Sequence, residues 1–595
     1  MLDFSEGGCY NIYNYIYVKI GVAVAPIYAA DFMKGEIMTK RLLSLLLVLV
    51  MLCMSISMMV SCGGTEVPDP TPDPNQGGNN TGNGNGNGGG GGGGQLVDKW
   101  DDVEFYDRHG DPLELTIQLS EYSDGEMTTG ALKYMQGPGE EVADPVQNLV
   151  YQRNLDAEDR LGIHMNYVYL NKGWSYIKSE IMIIEKNGVD TPDLYCDMIY
   201  DMMGASIENG VFKNLYRYNL EDTVGYGDDY YEGGYFDFQE KYGFYVDYMD
   251  DLSLTEDKQF LMAGDYFLDV IRALLLLPFN IDLYTALVNP SDSKAYGLYE
   301  TVRNYEWTWD YLKSMCNIYS GGEESLDQTL VMAIAHGGLS AVALVYSTQL
   351  DVYSATTDSD GKITGYVMNP KCPDLGTLFL KIKDLIDTNG IYADSSVLPE
   401  ANREGINKCN NAFKNGTVLF ATPTMMGALE EDVFQDMTSN MGVLPLPKLY
   451  EGSATSYCSI INGVGKVGAL GYHSENGQAM SAYIQYITEH SLDVLTAYYD
   501  DAMKNRYTND SGSKDMLDLI YDSIGSQKTM IIEELLMNRD WGTMQPYTWH
   551  QLIRDENFTG HASDISIQYD SCYDRKNNML REVFDAWVNK ADPVT

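Results

Sequence analysis

The sequence predicts an α/β fold of two or more lobes, and two observations carry that reading. From residue 113 the segments alternate strand, helix, strand, helix, strand, the order that builds a parallel sheet with helices on its faces. The folded part, residues 96 to 595, is also too long for one core.

Each element has its own signal. Residues 113 to 119 (LELTIQL) alternate apolar and polar, a strand that ends at Ser120, Glu121 and Tyr122. Residues 144 to 161 open Asp-Pro, an N-cap followed by proline at the first helical position. A second strand is expected over 164 to 170 and a second helix over 174 to 185. Asp190-Thr-Pro-Asp193 then leads into a third strand over 194 to 200. In such sheets ligands sit beyond the carboxyl ends of the strands, which nominates Glu121, Tyr122, Tyr200 and Asp201 by position.

Further along, residues 272 to 280 (RALLLLPFN) read as a buried strand. Thr308 is placed to cap a helix running to 318, with Asp310 in its first turn. The apolar run 330 to 346 reads as a buried helix, and 351 to 368 as a hairpin turning at Asp358-Ser-Asp-Gly361. Residues 375 to 389 are an amphipathic helix stopped by Asn-Gly. Residues 410 to 422 are a helix end, a turn and a strand, and 441 to 448 are extended. Helices are expected over 476 to 489, 511 to 523 and 577 to 590.

Ahead of this region stands a secretory signal. Lys40 and Arg41 precede an apolar stretch, and Met59-Val-Ser-Cys-Gly63 places small or medium residues before a cysteine. That arrangement resembles the bacterial lipobox, with Met59 where leucine is usual. It implies lipidation of Cys62, cleavage before it, and an extracytoplasmic protein anchored to the cell membrane. One spanning helix over 42 to 60 is the alternative reading, since its length falls within spanning range. Met38 is the expected start, which makes residues 1 to 37 an extension outside the fold and 38 to 61 the signal. Residues 62 to 95 carry the lipidated Cys62 and a Gly/Asn-rich tether ending in seven glycines. Such a chain has no apolar surface to bury, and a flexible one of this length spans about 30 Å.

The formal charge is −47, and 35 basic against 79 acidic residues follow position 95. Nucleic acid, which needs a basic stripe, is not an expected partner. Solubility of an exported domain accounts for the excess. Tyrosine is frequent at 46 residues, and its rings suit polar-faced ligands such as sugars as well as half-buried sheets. Six cysteines follow Cys62, at 196, 316, 372, 409, 458 and 572, with no C-x-x-C pair. Their even number permits disulfides without requiring them.

Five segments carry a family resemblance. Leu277-Pro-Phe-Asn-Ile-Asp282 looks like a "YNKD" crossing strand, Trp307-Thr-Trp-Asp310 like a "TWDEL" helix start, and Phe413-Lys-Asn-Gly-Thr-Val-Leu-Phe420 like an "F-x-x-G-x-A-A-M" turn and strand. Gly442-Val-Leu-Pro-Leu-Pro-Lys448 looks like "GVxPLPK", and residues 479 to 491 like a helix containing "A-x-x-F-x-x-x-L-x-x-E". In this order they resemble the extracellular solute-binding proteins of bacterial ABC importers, the sugar-binding type related to maltose-binding protein. Pro278 and Met425-Met426 depart from that family's aromatics, and these departures bear on the ligand.

The resemblance implies a type II two-lobed clamp, each lobe a mixed sheet flanked by helices, joined by crossing strands. Lobe one would take 96 to 278 and 462 to 530, and lobe two 279 to 461 and 531 to 595. It implies a monomeric, non-enzymatic binder without cofactor or metal, which takes a small ligand, an oligosaccharide, and delivers it to ABC permease subunits. A surface glycan-active enzyme or a glycan-binding adhesin is the alternative.

Competing chemistry has little support. No H-E-x-x-H or G-x-S-x-G occurs. Ser175-Tyr-Ile-Lys178 matches S-x-x-K without its companion motifs, and Asp358-Ser-Asp-Gly361 lacks a calcium loop's later glutamate. Among the tryptophans, Trp541, beside a glycine after an apolar run, is the first candidate to stack on a ligand. Trp174 is the next. Trp307 and Trp309 flank a helix start and are expected to anchor it.

Overall fold

A computed structural model describes residues 99–120, 132–170, 176–220, 233–292, 294–319, 325–335, 338–394, 399–430, 432–453, 456–507, 510–524, 526–539, 548–551 and 565–590. Cys62, the signal and the tether lie outside the described residues, as do Glu121, Tyr122, Trp174 and Trp541. Residues Gln95–Thr595 form a unit of their own.

The first half of the chain runs β1 (Leu113–Ser120), α1 (Pro145–Leu161), β2 (Ile163–Leu170), α2 (Ile177–Asn187), β3 (Leu194–Met198), α3 (Ile199–Ser206), β4 (Leu275–Asn280), α4 (Trp309–Ser314), β5 (Leu330–Ala335) and α5 (Gly338–Tyr346). A hairpin, β6 (Tyr353–Thr357) and β7 (Ile363–Met368), leads to α6 (Pro373–Ile386), β8 (Ile391–Asp394), α7 (Pro399–Lys414), β9 (Val418–Phe420), β10 (Thr424–Met425) and β11 (Met441–Leu444). Last come β12 (Lys466–Leu470), α8 (Gly477–Glu489), α9 (Ser511–Asp522), α10 (Lys528–Arg539) and α11 (Ile565–Val588).

Many boundaries follow local chemistry. Asp144 caps α1 by accepting from Val146 N and Gln147 N, and Gly162 closes it at φ 62°. The Asp358 carboxylate accepts from Asp360 N and Lys362 N to turn the β6–β7 hairpin.

Two sheets share one topology. In the first, β2, β1 and β3 are parallel in that order, and β12 joins β3 antiparallel. In the second, β8, β5 and β9 repeat the parallel order, and β4 joins β9 antiparallel, with β10 and β11 beyond it. The closing strand of each sheet therefore comes from the part of the chain that has just crossed from the other. This is a two-lobed type II clamp, each lobe a mixed sheet flanked by helices.

The crossings pair into a ribbon. Leu275 N donates to Ile460 O (2.9 Å) and Asn462 N to Ala273 O (2.9 Å), while Ser459 N donates to Ser523 O (3.0 Å). Gln527 fastens the third crossing to the second, accepting from Ile461 N and donating to Ser459 O.

Three expectations are corrected. The third strand ends at Met198, and residues 199 to 206 are helical, so Tyr200 and Asp201 begin a helix instead of ending a strand. The run 330 to 346 is a strand followed by a helix, not one helix. Both errors have one cause: a short, fully buried apolar run has no amphipathic period to separate the two structures. The last helix starts at Ile565, twelve residues ahead of the expected 577. The six cysteines after Cys62 are free thiols, five of them buried.

Candidate binding cleft

The carboxyl ends of both parallel sets face the crossing ribbon, so the site is built from the first-lobe edge outward. In β1 and β3 the register sets Leu119 beside Cys196, which brings Ser120 level with Asp197. Ser120 Oγ donates to Asp197 Oδ1 (2.5 Å), which also accepts from Met198 N (2.8 Å). Asp197 Oδ2 and Gln118 Nε2 are buried without a hydrogen bond among the described residues. Burial pushes the Asp197 carboxyl up to about 6, against the Ser120 and Met198 bonds and the nearby Lys466 charge.

Tyr200 and Asp201 stand on the first turn of α3. Tyr200 N donates to Gly463 O (3.2 Å) on the second crossing. A Cβ at Gly463 would lie 2.2 Å from the Tyr200 ring, so glycine lets that ring lie against the crossing backbone. Asp201 is 4% exposed. Its Oδ1 accepts from Lys178 N (3.2 Å) at the start of α2, and its Oδ2 is buried without a hydrogen bond among the described residues. Burial pushes this carboxyl up to about 7, and Asp197 adds to the rise. The structure thus brings together two of the residues that sequence position nominated, Tyr200 and Asp201, next to Asp197, which it did not.

A second cluster joins the lobes. Glu430, just beyond β10, accepts from Arg272 Nε (3.1 Å), Tyr498 Oη (2.9 Å) and Tyr134 Oη (3.1 Å). Arg272 Nη1 also meets Asp269 Oδ1 (3.0 Å), and Lys466 Nζ meets Asp269 Oδ2 (3.2 Å). The Tyr134 ring covers the guanidinium at 4.7 Å. Arg272 is 1% exposed, so its charge is held by two carboxylates and a ring face where burying it alone would be costly. Sequence reasoning missed this cluster. Its one legible signal was an arginine heading the apolar run RALLLLPFN, where the structure ends a short helix, Asp269–Arg272, before β4 begins at Leu275.

At the far edge of the ribbon, beside the third crossing, a cavity of about 620 Å³ is lined by Tyr305, Tyr346, Tyr457, Asp351 and Lys528 among others. Trp307 and Trp309 are buried, and Trp307 Nε1 donates to Pro445 O (3.0 Å), so both anchor α4 as expected. Within the described residues no group of three or more His, Cys, Asp or Glu could hold a metal ion. None of the described helices is long and apolar enough to cross a membrane.

At the carboxyl edge of the first sheet Asp197, Asp201 and Gln118 thus gather buried carboxylates and an amide, groups of the kind that bind hydroxyls, while the tyrosine-lined cavity lies apart from them beside the third crossing.

No protein-family model matches the chain, and no curated protein does. Among solved structures, the chain is similar to the GacH receptor of Streptomyces glaucescens, known unliganded and with acarbose, at 15% identity over 79% of this chain and 99% of that one (TM-score 0.43). It is similar to a cyclic α-maltosyl-1,6-maltose binding protein of Arthrobacter globiformis at 12% identity over 79% and 100% (TM-score 0.46). It is also similar to the galacto-N-biose/lacto-N-biose I-binding protein of a Bifidobacterium longum ABC transporter, in complex with lacto-N-biose, at 9% identity over 80% and 98% (TM-score 0.48).

Proposed function

We propose that the protein is an extracytoplasmic solute-binding lipoprotein. It captures an oligosaccharide between its lobes without turning it over and hands it to the permease of an ABC importer, held at the membrane by lipid on Cys62. One observation carries this reading: two sheets of the same strand order, each closed by a strand from the crossing ribbon, with polar and aromatic groups where their carboxyl ends meet. That architecture gives two rigid bodies and one place to hinge. On this reading Glu121, Tyr122, Trp174, Tyr200, Asp201 and Trp541 contact the ligand, Trp541 by stacking and the carboxylates by accepting hydroxyl hydrogen bonds.

The test is titration calorimetry of the purified protein against a panel of neutral oligosaccharides, with recovery of the bound sugar by chromatography. The expected result is one sugar bound and recovered intact, with affinity at least about tenfold weaker in Trp541→Ala, as loss of roughly 1.5 kcal/mol or more of contact energy requires. Release of new reducing ends, abolished by a single carboxylate substitution, would replace the binder with a glycosidase.

A further inference from the structure

We infer that the protein carries a second binding site, apart from the sugar site, for an organic cation with amine groups on an apolar chain. The site is a cavity of about 450 Å³ where residues 240 to 248 face the end of α9, a volume within the range of small-molecule pockets. Glu240, Asp247 and Asp522 line it as exposed carboxylates, and Asp265 as a buried one. Ring faces of Tyr245, Tyr248 and Tyr521 complete the wall, and no lysine or arginine is among its described lining residues.

The wall is built by a close backbone approach. Gly243 closes a short helical turn at φ 88°, a conformation that favours glycine. A Cβ there would lie 2.6 Å from Asp265 Oδ2, so glycine lets the chain pass over that carboxylate. Asp265 N donates to Gly243 O (2.8 Å) and Tyr245 N to Ala263 O (3.1 Å), which sets the two side chains together. Tyr245 Oη donates to Asp265 Oδ1, and Tyr521, on the last turn of α9, meets the Tyr245 ring edge-on at 6.4 Å. Burial pushes the Asp265 carboxyl up to about 7, against the Tyr245 bond and the Arg153 charge behind it. A cation in the cavity would favour its ionised form.

Tyr248 points to what is missing. It is fully buried and lines the cavity, and its Oη has no hydrogen bond among the described residues. A buried hydroxyl left unbonded is costly, and an N–H from a ligand in the cavity would satisfy it. The carboxylates then meet the ligand's charge and the rings its ammonium faces. Among the described residues no three such ligating groups come together as a metal ion requires. Negative charge is spread along the wall instead, which suits amines spaced on a chain. Asp247 and Asp522 also line the cavity of about 620 Å³ beside the third crossing, which extends the acidic surface. Lys528, the cation among that cavity's described lining residues, is held by Asp250 O (2.9 Å) and Asp251 O (3.1 Å). None of these residues is proposed to contact the sugar, so failure here would leave that reading standing.

Titration calorimetry of the full-length protein in detergent, with spermidine at physiological salt, tests the site. The parent should show one saturable site. Tyr248→Phe removes only the hydroxyl and should weaken binding about tenfold. Glu240→Gln, Asp247→Asn and Asp522→Asn combined should weaken it by at least about tenfold, with circular dichroism reporting a folded chain. A control that removes the same charge at exposed positions elsewhere, Asp156→Asn, Asp159→Asn and Asp493→Asn, should stay within about twofold of the parent, because salt screens distant charges. Should Tyr248→Phe unfold, the two triple variants decide. Absence of saturable binding, an equal loss in both triples, or parental affinity in a folded Tyr248→Phe would overturn the proposal.

Discussion

Asp201 shows what burial does to one group and how that becomes observable. Its folded carboxyl titrates at about 7 because burial disfavours the charge, while the unfolded chain releases the proton at the ordinary carboxylate value of 3.8. Between those values the folded state binds more protons than the unfolded one, so stability from this site is present in full at low pH and is lost as pH rises towards 7. Above 7 the loss is constant, on the order of a few kcal/mol. Asp201→Asn keeps the acceptor for Lys178 N and removes the charge. It should therefore melt higher than the parent at pH 8 and match it at pH 3, below the unfolded-chain value. An equal difference at both values would mean that the carboxyl ionises in place without cost. The sequence indicated that Asp201 stands near the mouth of the first sheet. It did not indicate burial, because that follows from α2 lying over the side chain.

Four of the five segments that carry the family resemblance meet one another in the second lobe, while the fifth, the helix at 479 to 491, packs on α1 in the first. β11 lies antiparallel on β4, pairing Met441 with Asn280 and Leu444 with Leu277, and Phe279 of β4 pairs with Phe420 of β9. Gly442 sits beneath Phe279, where a Cβ would come within 2.3 Å of the ring. The helix start joins the same layer: Trp309 N donates to Lys448 O (3.2 Å) and Lys448 N to Trp307 O (3.1 Å). These strings are thus a packed layer, which is the physical content of a motif that spans over a hundred residues. At the head of α4, Thr308 Oγ1 accepts from Tyr311 N (3.1 Å). Thr308→Ala leaves that donor without its cap and should cost about 1 kcal/mol, read from the denaturant midpoint at unchanged slope. A midpoint identical to the parent's would mean that water serves the Tyr311 amide equally well. Asp144, Thr308 and the Asp358 turn were all legible because caps and turns act within four residues. The strand at 330 to 335 was not, because its partners β8 and β9 lie far along the chain.

At the scale of the whole molecule, Glu430 is the residue where the lobes meet as charges. It gathers Arg272, Tyr134 and Tyr498, which come from three separate stretches of chain. Glu430→Gln keeps an acceptor oxygen but removes the charge, leaving Arg272 with Asp269 alone. Breaking a buried pair outright costs about 3 to 5 kcal/mol, and with one carboxylate retained the expected loss is about 2 kcal/mol. Urea unfolding of parent and variant measures it. A variant as stable as the parent would show that the guanidinium is satisfied by Asp269 and the Tyr134 ring, and that Glu430 contributes nothing to holding the lobes.

From its residues alone this chain determines what short-range chemistry can determine: the α/β alternation, the capped helix starts, the hairpin turn and the motif order that resembles a clamp. Tertiary structure decided the rest. It made residues 199 to 206 a helix, split 330 to 346, drew Asp197 beside Asp201, and assembled Glu430 with residues as distant as Tyr134 and Tyr498. The physical reason is separation along the chain. A cap or a turn is satisfied by neighbours that the sequence places beside it, whereas a buried charge is satisfied by whatever the fold brings within about 3 Å, and no local pattern records which residues those will be.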